Sequence, residues 1–299
     1  MFKTRLLVGV PLAAVFLLAL FWRGWPGAVL FTLLLPLFSV IAIGEYLKLA
    51  EGLGVGGFPR LAMAFGGLYP LAVGVLPVVP TIWGLPPWPA EPFEAGTLAS
   101  FLVLGFREVF RREDRANAML RLLVSLAGLV YLCWTLGFIP RLYFAGGFTG
   151  GDGRWLVLFL VVVTKIGDVG AYAAGMLTSR RARGNHKMAP LISPKKSWEG
   201  LAGGLVVSVA AALALVLVWP ERFALNGIVV LSPATAVFWG FFCTVLGFWG
   251  DVAESALKRA ANVKNSGMVP GLGGVLDVLD SLTLVAPFFY AYVCLVASR

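Results

Sequence analysis

The chain has 299 residues, of which 59% are hydrophobic and only 13% are charged. Soluble domains carry about 25% charged residues, so the composition excludes a soluble enzyme, and the apolar content excludes a disordered chain. The 36 glycines and 18 prolines follow no collagen-like period. The composition is typical of an integral membrane protein, and the sequence predicts an all-α, polytopic fold.

Nine apolar stretches predict the membrane spans. A bilayer core about 30 Å thick is crossed by about 20 apolar residues in a helix. In chain order the stretches cover residues 6–22, 25–44, 61–80, 97–107, 118–139, 155–177, 200–219, 228–250 and 281–298. The fourth is the shortest, and a proline-rich loop at 85–92 precedes it. The first lacks the small-residue cleavage pattern of a signal peptide, so we expect it to be retained as a helix.

Lysine and arginine residues are distributed unevenly between the two predicted sides. With nine spans and a cytosolic N-terminus, 18 lie on the cytosolic side, five lie outside and Lys165 lies within a span. The positive-inside rule predicts this asymmetry. The net charge of +9 therefore mainly indicates how the chain is oriented in the membrane. Attraction of lipid headgroups or nucleotides is a second role for this charge. Because the basic residues are spread over five short loops, no nucleic-acid partner is expected.

One acidic residue lies deep within a predicted span. Asp168 is about 14 Å from the cytosolic end of its helix and follows Lys165 by three residues. An ionisable side chain at this depth usually faces a partner or a water-filled cavity. Either the two residues form an ion pair on one helix face, with Gly167 and Gly170 allowing close helix packing, or Asp168 belongs to a functional site.

The loop at 178–200 contains a serine and a proline followed by two lysines. Ser193 and Pro194 are typical of an N-cap and a first helical residue, so we expect a helix to begin there. Lys195 and Lys196 would then occupy the first turn, where the helix dipole disfavours cations. Either a bound phosphate compensates for their charge, or the segment is an ordinary basic cytosolic loop.

The cytosolic segment 250–280 is the second polar region. It begins as an amphipathic helix that continues the eighth span. The polar face of this helix consists of Asp251, Glu254, Ser255 and Lys258. Glycines and a proline then break the helix, and Asp277 and Asp280 follow on one face of the ninth span. Paired carboxylates beside glycine-rich backbone suit Mg²⁺, and a solvated connector is the alternative.

At these residues the chain resembles the phosphatidate cytidylyltransferases, also called CDP-diacylglycerol synthases. The resemblance covers roughly the C-terminal half. Its first block contains Asp168 and the run from Lys187 to Gly200. Its second block consists of Gly250, Asp251, Glu254, Ser255, Lys258, Arg259, Lys264, Ser266, Pro270, Gly271, Gly273, Gly274, Asp277, Asp280 and Ser281. In the first half, Gly44, Glu45 and Tyr46 form a weak local match.

The resemblance implies transfer of a cytidylyl group from CTP to phosphatidic acid, with Mg²⁺ as cofactor and pyrophosphate as the second product. The implied metal ligands are Asp251, Asp277 and Asp280. The residues expected to clamp phosphates and pyrophosphate are Lys195, Lys196, Lys258 and Arg259. Asp168 is expected to hold a second cation or to position a base. Further substrate contacts are expected from Ser193, Ser197, Ser255, Lys264, Gly273 and Gly274.

The second block departs from the family pattern at three positions, and its loop between Gly267 and Pro270 is one residue short. Asn265 stands where the family usually has aspartate, Leu272 where it has histidine and Val278 where it has arginine. Loss of these polar side chains is compatible with reduced activity or altered specificity.

Several features remain open from the sequence. An ion- or proton-coupled transporter and a CTP-dependent lipid kinase are the alternative functions. We expect N-terminal membrane helices at 1–110 and a catalytic region at 111–299, with the cytosolic loops 178–200 and 250–280. The expected location is the cytoplasmic inner membrane, with the active site facing the cytosol. The sequence does not decide whether the protein forms a homodimer, because Gly203 and Gly204 suit packing within one protomer or between two.

Overall fold

The computed structural model of the chain describes residues 2–22, 24–145, 153–180, 184–225, 227–267 and 273–297, with side chains from residue 9 onward. This described part is mostly helical, with four short strands. The chain divides into two compact units, Met1–Gly151 with Ala260–Val278 and Asp152–Arg259 with Leu279–Arg299. The division at residues 110 and 111 expected from the sequence remains a prediction.

The first unit is built from helices of very different lengths. In chain order they are α1 (Phe2–Phe21), α2 (Trp25–Gly52), α3 (Pro59–Pro70), α4 (Glu91–Phe110), α5 (Arg115–Gly128) and α6 (Phe138–Tyr143). A π-helical turn at Leu71–Val75 and a 3₁₀ helix at Leu76–Trp83 continue α3, and a π-helical turn at Leu129–Trp134 continues α5. Asp114 caps α5 by accepting a hydrogen bond from the N–H of Asn117 at 3.0 Å.

A polar network joins three helices of the first unit. Glu94 of α4 accepts hydrogen bonds from the hydroxyl of Tyr69 at 2.7 Å and from Nη2 of Arg141 at 2.8 Å. Burial by itself would raise the pKa of Glu94, but these two donors outweigh it and hold the pKa below its ordinary value. The network therefore links α3, α4 and α6 through a charged carboxylate at neutral pH.

The second unit contains the remaining helices and two small hairpins. The helices are α7 (Gly153–Ser179), α8 (Trp198–Val218), α9 (Pro233–Ala260) and α10 (Val275–Ala297), whose first turn is grouped with the first unit. Strands β1 (Lys187–Ala189) and β2 (Ser193–Ser197) pair antiparallel, as do β3 (Ala224–Leu225) and β4 (Ile228–Val229). A 3₁₀ helix at Pro220–Phe223 follows α8.

Small residues bring α7 and α8 into close contact. A Cβ on Gly203 would lie 2.2 Å from the Cβ of Ala174, and a Cβ on Gly204 would lie 2.8 Å from the carbonyl oxygen of Gly167. Side chains larger than hydrogen do not fit at these distances, so the glycines allow the two backbones to approach. Gly204 is therefore buried within one protomer, whereas Gly203 contacts α7 and is half-buried.

Seven helical stretches of the described residues are long and apolar enough to cross a membrane. They are Trp25–Gly52, Pro59–Trp83, Arg115–Tyr143, Gly153–Ser179, Trp198–Val218, Pro233–Ala260 and Val275–Ala297. Each corresponds to one of the predicted spans. The chain is therefore an all-α, polytopic membrane protein, as the composition predicts.

The other two predicted spans are also helical, but they differ from these seven. In α1 the apolar part with described side chains covers only Gly9–Phe21. The helix α4 is long enough but carries Glu91, Glu94, Arg107 and Glu108. Charged side chains are costly in the hydrocarbon core, so α4 lacks the composition of an ordinary span. The count of nine and the cytosolic N-terminus remain predictions.

The ends of α9 and α10 determine where the acidic residues lie. Helix α9 begins at Pro233, later than residue 228, because Ile228–Val229 pairs with Ala224–Leu225. It continues to Ala260, which confirms the predicted amphipathic extension beyond residue 250. Helix α10 begins at Val275, so Asp277 and Asp280 both lie in its first turns, as predicted.

Candidate active site

Three carboxylates of the second unit form a compact cluster. Oxygen atoms of Asp251, Glu254 and Asp280 all lie within 4.8 Å of one another. Asp251 and Glu254 are three residues apart on α9 and so share one helix face, while Asp280 is contributed by α10. Glu254 and Asp280 are buried and Asp251 is half-buried. The cluster is therefore built from two helices and is partly accessible at Asp251.

Two glycines of α9 allow these carboxylates to meet. A Cβ on Gly250 would lie 2.3 Å from the carbonyl oxygen of Asp280, and a Cβ on Gly247 would lie 3.4 Å from the Cβ of Ser281. The backbones of α9 and α10 therefore lie close together beside the cluster. A larger residue at position 250 has to push the helices apart.

Replacement of Gly250 by alanine should therefore destabilise the protein. We expect a loss of about 1–3 kcal/mol, the usual cost of forcing an extra methyl group into a packed site. Thermal unfolding in detergent, followed by tryptophan fluorescence, measures it. The control is Gly96→Ala on α4, because no atom lies within 4 Å of the added Cβ and alanine favours a helix. An apparent Tm of Gly250→Ala equal to that of wild type would contradict the close approach.

Each carboxylate of the cluster lies beside a lysine. The ammonium group of Lys196 is 2.7 Å from Oδ2 of Asp251, and Lys258 pairs with Glu254 one helical turn away. Lys165 of α7 reaches 3.9 Å from Oδ1 of Asp280. Buried carboxylates are costly without a compensating charge, so these lysines stabilise the cluster.

Asp168 belongs to the same network. Its Oδ2 lies 3.5 Å from the ammonium group of Lys165, which confirms the predicted ion pair. Lys165 also donates to the hydroxyl of Ser281 at 2.6 Å, and this hydroxyl donates to Asp168 at 3.1 Å. The ion pair is therefore part of a larger arrangement that includes Asp280, and the structural and functional interpretations of Asp168 are compatible.

The prediction that a helix begins at Ser193 and Pro194 was wrong. Residues Ser193–Ser197 form strand β2, whose backbone pairs with β1. The N-cap is Ser197, which has an extended backbone and accepts a hydrogen bond from the N–H of Gly200 at 3.1 Å. Pairing between the strands satisfies backbone groups that a helix would otherwise have used. The predicted effect of the helix dipole on the two lysines therefore does not apply.

The strand also separates the two lysines. Successive side chains on a strand point to opposite sides. Lys196 is half-buried, donates to the carbonyl oxygen of Phe248 at 2.9 Å and contacts Asp251, whereas Lys195 is exposed. Only Lys196 of the pair therefore faces the carboxylate cluster.

The other predicted residues of the second unit lie around this hairpin and α9. Arg259 donates to the carbonyl oxygen of Ile192 at 3.3 Å, which connects the end of α9 to the hairpin. Ser193 and Ser255 are half-buried, while Ser197 is buried and used as a helix cap. The structure gives Ser197 a structural role in addition to the predicted substrate contact.

Four predicted site residues belong to the first unit. Asp277 accepts a hydrogen bond from the N–H of Ser266 at 3.2 Å, and Lys264 is exposed. Gly273 has a φ of +94°, a conformation that favours glycine, and Gly274 is buried. Of the three predicted metal ligands, the structure thus brings Asp251 and Asp280 together within the second unit, where Glu254 joins them.

The three departures from the family pattern lie near these residues. Asn265 is exposed and Val278 is half-buried on α10. Leu272 lies outside the described residues.

Sequence reasoning does not assign two residues of this site, one carboxylate of the cluster and one lysine beside it. Glu254 shares the polar face of α9 with Asp251, and this spacing is the signal that would have added it to the metal ligands. Lys165 was considered only as the partner of Asp168. Its contacts with Asp280 and Ser281 depend on α10, which is more than 100 residues away in the chain.

The comparison with protein families decides where the chain belongs. A model described as the cytidylyltransferase family matches residues 3–296. The chain belongs to the cytidylyltransferase family. This result confirms the resemblance inferred from the two sequence blocks and extends it over the N-terminal half.

Several curated relatives of the chain carry a more specific name. The phosphatidate cytidylyltransferase of Chlamydia muridarum is 35% identical over 175 residues, which cover 56% of this chain and 55% of that protein. That of Haemophilus influenzae is 38% identical over 144 residues, with 46% and 45% covered. That of Bacillus subtilis is 37% identical over 139 residues, with 46% and 47% covered. The chain spans about half the length of the curated relatives it matches.

The carboxylate cluster has the kind of donors that a divalent cation prefers. Carboxylate oxygens are preferred ligands of Mg²⁺, and ligands on opposite sides of the ion are about 4.2 Å apart. Among three ligands at most one pair is opposite, and neighbouring ligands are about 3 Å apart, so the three oxygens, which lie within 4.8 Å of one another, have to draw closer to bind one ion. Asp251, Glu254 and Asp280 therefore offer the donor set of a hard divalent cation, and the half-buried Asp251 is the most accessible of the three.

Proposed function

We propose that the chain transfers the cytidylyl group of CTP to phosphatidic acid, giving CDP-diacylglycerol and pyrophosphate in phospholipid synthesis. The observation that carries the proposal is a carboxylate cluster with a lysine beside each member, in a chain of the cytidylyltransferase family. The names of its relatives support the choice of phosphatidic acid as acceptor.

This reaction needs no nucleophilic side chain. An oxygen of the phosphate monoester in phosphatidic acid attacks the α-phosphorus of CTP. The bond from this phosphorus to the oxygen that bridges the α- and β-phosphates breaks, and pyrophosphate leaves with the electron pair. Because both reactants are anions, the site has to align them and to offset their repulsion.

The carboxylates are proposed to provide the metal site. Asp251, Glu254 and Asp280 would hold Mg²⁺, which when bound supplies positive charge to the triphosphate and to the departing pyrophosphate. Asp277, in the first unit, stays a predicted ligand on the basis of the family resemblance. Asp168 is proposed to hold a second cation or to position a base.

The lysines are proposed to contact the phosphates. Lys196 and Lys258 each pair with a carboxylate of the cluster. Once those carboxylates serve as metal ligands, the ammonium groups are able to turn toward phosphate oxygens, which are strong acceptors for charged donors. Arg259 and Lys195 are proposed to make outer phosphate contacts near the hairpin.

The membrane setting suits a soluble nucleotide and a lipid acceptor. We propose that the protein lies in the cytoplasmic inner membrane and that its site faces the cytosol, because most lysines and arginines are predicted on that side. Phosphatidic acid then enters from the bilayer and CTP from the cytosol.

The direct test uses the purified protein in liposomes that contain phosphatidic acid. With radiolabelled CTP and Mg²⁺, we expect label in chloroform-soluble lipid together with pyrophosphate. Chelation with EDTA should abolish incorporation, and excess Mg²⁺ should restore it, because the carboxylates lose the ion that neutralises the nucleotide.

The products separate the alternatives. Release of CDP instead of pyrophosphate would indicate a lipid kinase. A complete lack of labelled lipid at any Mg²⁺ concentration would contradict the proposed reaction and reopen the transporter alternative.

A further inference from the structure

A glutamate of the first unit contacts the start of α10. Glu45 lies on α2 and is buried, with 7% of its surface exposed. Its Oε1 accepts a hydrogen bond from the N–H of Val275 at 3.1 Å, and its Oε2 accepts one from the N–H of Leu276 at 2.8 Å. The side chain therefore binds two consecutive amides of the first helical turn.

These amides require an acceptor from outside the helix. The first N–H groups of an α-helix have no partner within it, and a side chain just before the helix usually supplies one. The residue before α10 is Gly274, which has no side chain. Glu45, about 230 residues earlier in the chain, takes the place of this local cap.

Two glycines leave room for the carboxyl group. A Cβ on Gly267 would lie 2.0 Å from Oε1 of Glu45, and a Cβ on Gly274 would lie 2.5 Å from its Oε2. Both distances are too short for any side chain. These two glycines therefore allow Glu45 to reach the helix.

A serine connects Glu45 to Asp277. The hydroxyl of Ser266 is 3.2 Å from Oε2 of Glu45 and 2.9 Å from Oδ2 of Asp277. A hydroxyl has one proton, so it donates to one of these carboxyl groups at a time. The N–H of Ser266 also donates to Asp277 at 3.2 Å. Ser266 and the first turn of α10 therefore both contribute to the position of Asp277, and Glu45 contacts both of them.

We propose that Glu45 is a positioning residue that holds Asp277 in place by binding Ser266 and the first turn of α10. The effect on catalysis rests on the proposed function and on the predicted role of Asp277 as a metal ligand. The effect of Glu45 on the first turn of α10 is independent of that function.

Hydrogen–deuterium exchange of Glu45→Gln tests the placement without turnover. Glutamine keeps the size of the side chain but turns an NH₂ group toward an amide donor. We expect the amides of Val275 and Leu276 to exchange about tenfold faster, as for loss of a hydrogen bond to a charged acceptor. The control is Glu51→Gln, the same change on an exposed residue of α2, which should leave exchange and turnover unchanged.

The dependence of turnover on Mg²⁺ tests the positioning role. In Glu45→Gln we expect the Mg²⁺ concentration for half-maximal rate to rise about tenfold, whereas KM for phosphatidic acid stays constant, since only a metal ligand is displaced. Ser266→Ala should raise the Mg²⁺ requirement while the amide of Val275 stays protected. If Glu45→Gln does not fold, Ser266→Ala still tests whether the contacts around Asp277 set the Mg²⁺ requirement.

The exchange and turnover measurements separate the helix contact, the positioning role and the proposed function. Unchanged exchange at Val275 and Leu276 overturns the proposal. Faster exchange with an unchanged Mg²⁺ requirement overturns the positioning role and leaves a structural cap. If the wild-type protein forms no CDP-diacylglycerol, the proposed function fails, while the exchange experiment still tests the contact of Glu45 with α10.

Discussion

Replacement of Asp251 by asparagine is expected to abolish formation of CDP-diacylglycerol, with a loss in kcat of about 1,000-fold. Asparagine has nearly the same size as aspartate, so the helix should pack as before. It removes the charge that faces Lys196 and one of the oxygens in the cluster with Glu254 and Asp280. Incorporation of radiolabelled CTP into lipid by purified protein in liposomes measures the loss.

The matched control is Asp114→Asn. Asp114 is an exposed N-cap of α5, and asparagine caps helices as well as aspartate does, so this variant should keep wild-type activity and stability. Turnover of Asp251→Asn close to that of wild type, with the control also normal, would remove Asp251 from the site.

Replacement of Lys196 by methionine should lower kcat by about 100-fold, the typical effect of removing one group that stabilises charge in the transition state. Methionine retains the length of the lysine stem and removes the ammonium group, which lies over the ring of Phe248 at 4.3 Å from the ring centre. The variant loses the charge beside Asp251 while keeping most of the packing. Steady-state kinetics with varied CTP measures kcat and KM separately.

Two neighbouring lysines provide comparisons for this variant. Lys187 is exposed on the paired strand β1, and Lys187→Met should leave turnover unchanged. Lys195 is exposed on β2, so Lys195→Met should cause a smaller loss than Lys196→Met. Equal losses at positions 195 and 196 would contradict the conclusion that only Lys196 faces the carboxylates.

Long apolar stretches made the membrane fold predictable. Seven spans follow from hydropathy, and the extension of α9 follows from its helical spacing of polar residues. The hairpin at Lys187–Ser197 could not be predicted in this way, because its sequence has few β-branched residues and its strands form through pairing with each other. A serine followed by a proline is compatible with a helix start and with a short strand alike.

The composition of the candidate site was only partly predictable. Asp251, Asp280 and Lys196 were found because polar residues are rare in this chain and cluster in two segments. The contacts of Lys165 and Glu45 with α10 link residues more than 100 and more than 200 positions apart. No local pattern encodes such distances, which depend on how the helices pack.

The tight contact between α7 and α8 also limits how copies of the protein are able to associate. Gly204 faces Gly167 of the same chain and is buried, so it offers no surface to a second copy. Val206 and Leu217 of α8 are instead largely exposed. Association of two protomers through this face of α8 would therefore bury aliphatic side chains that lipid covers in a monomer.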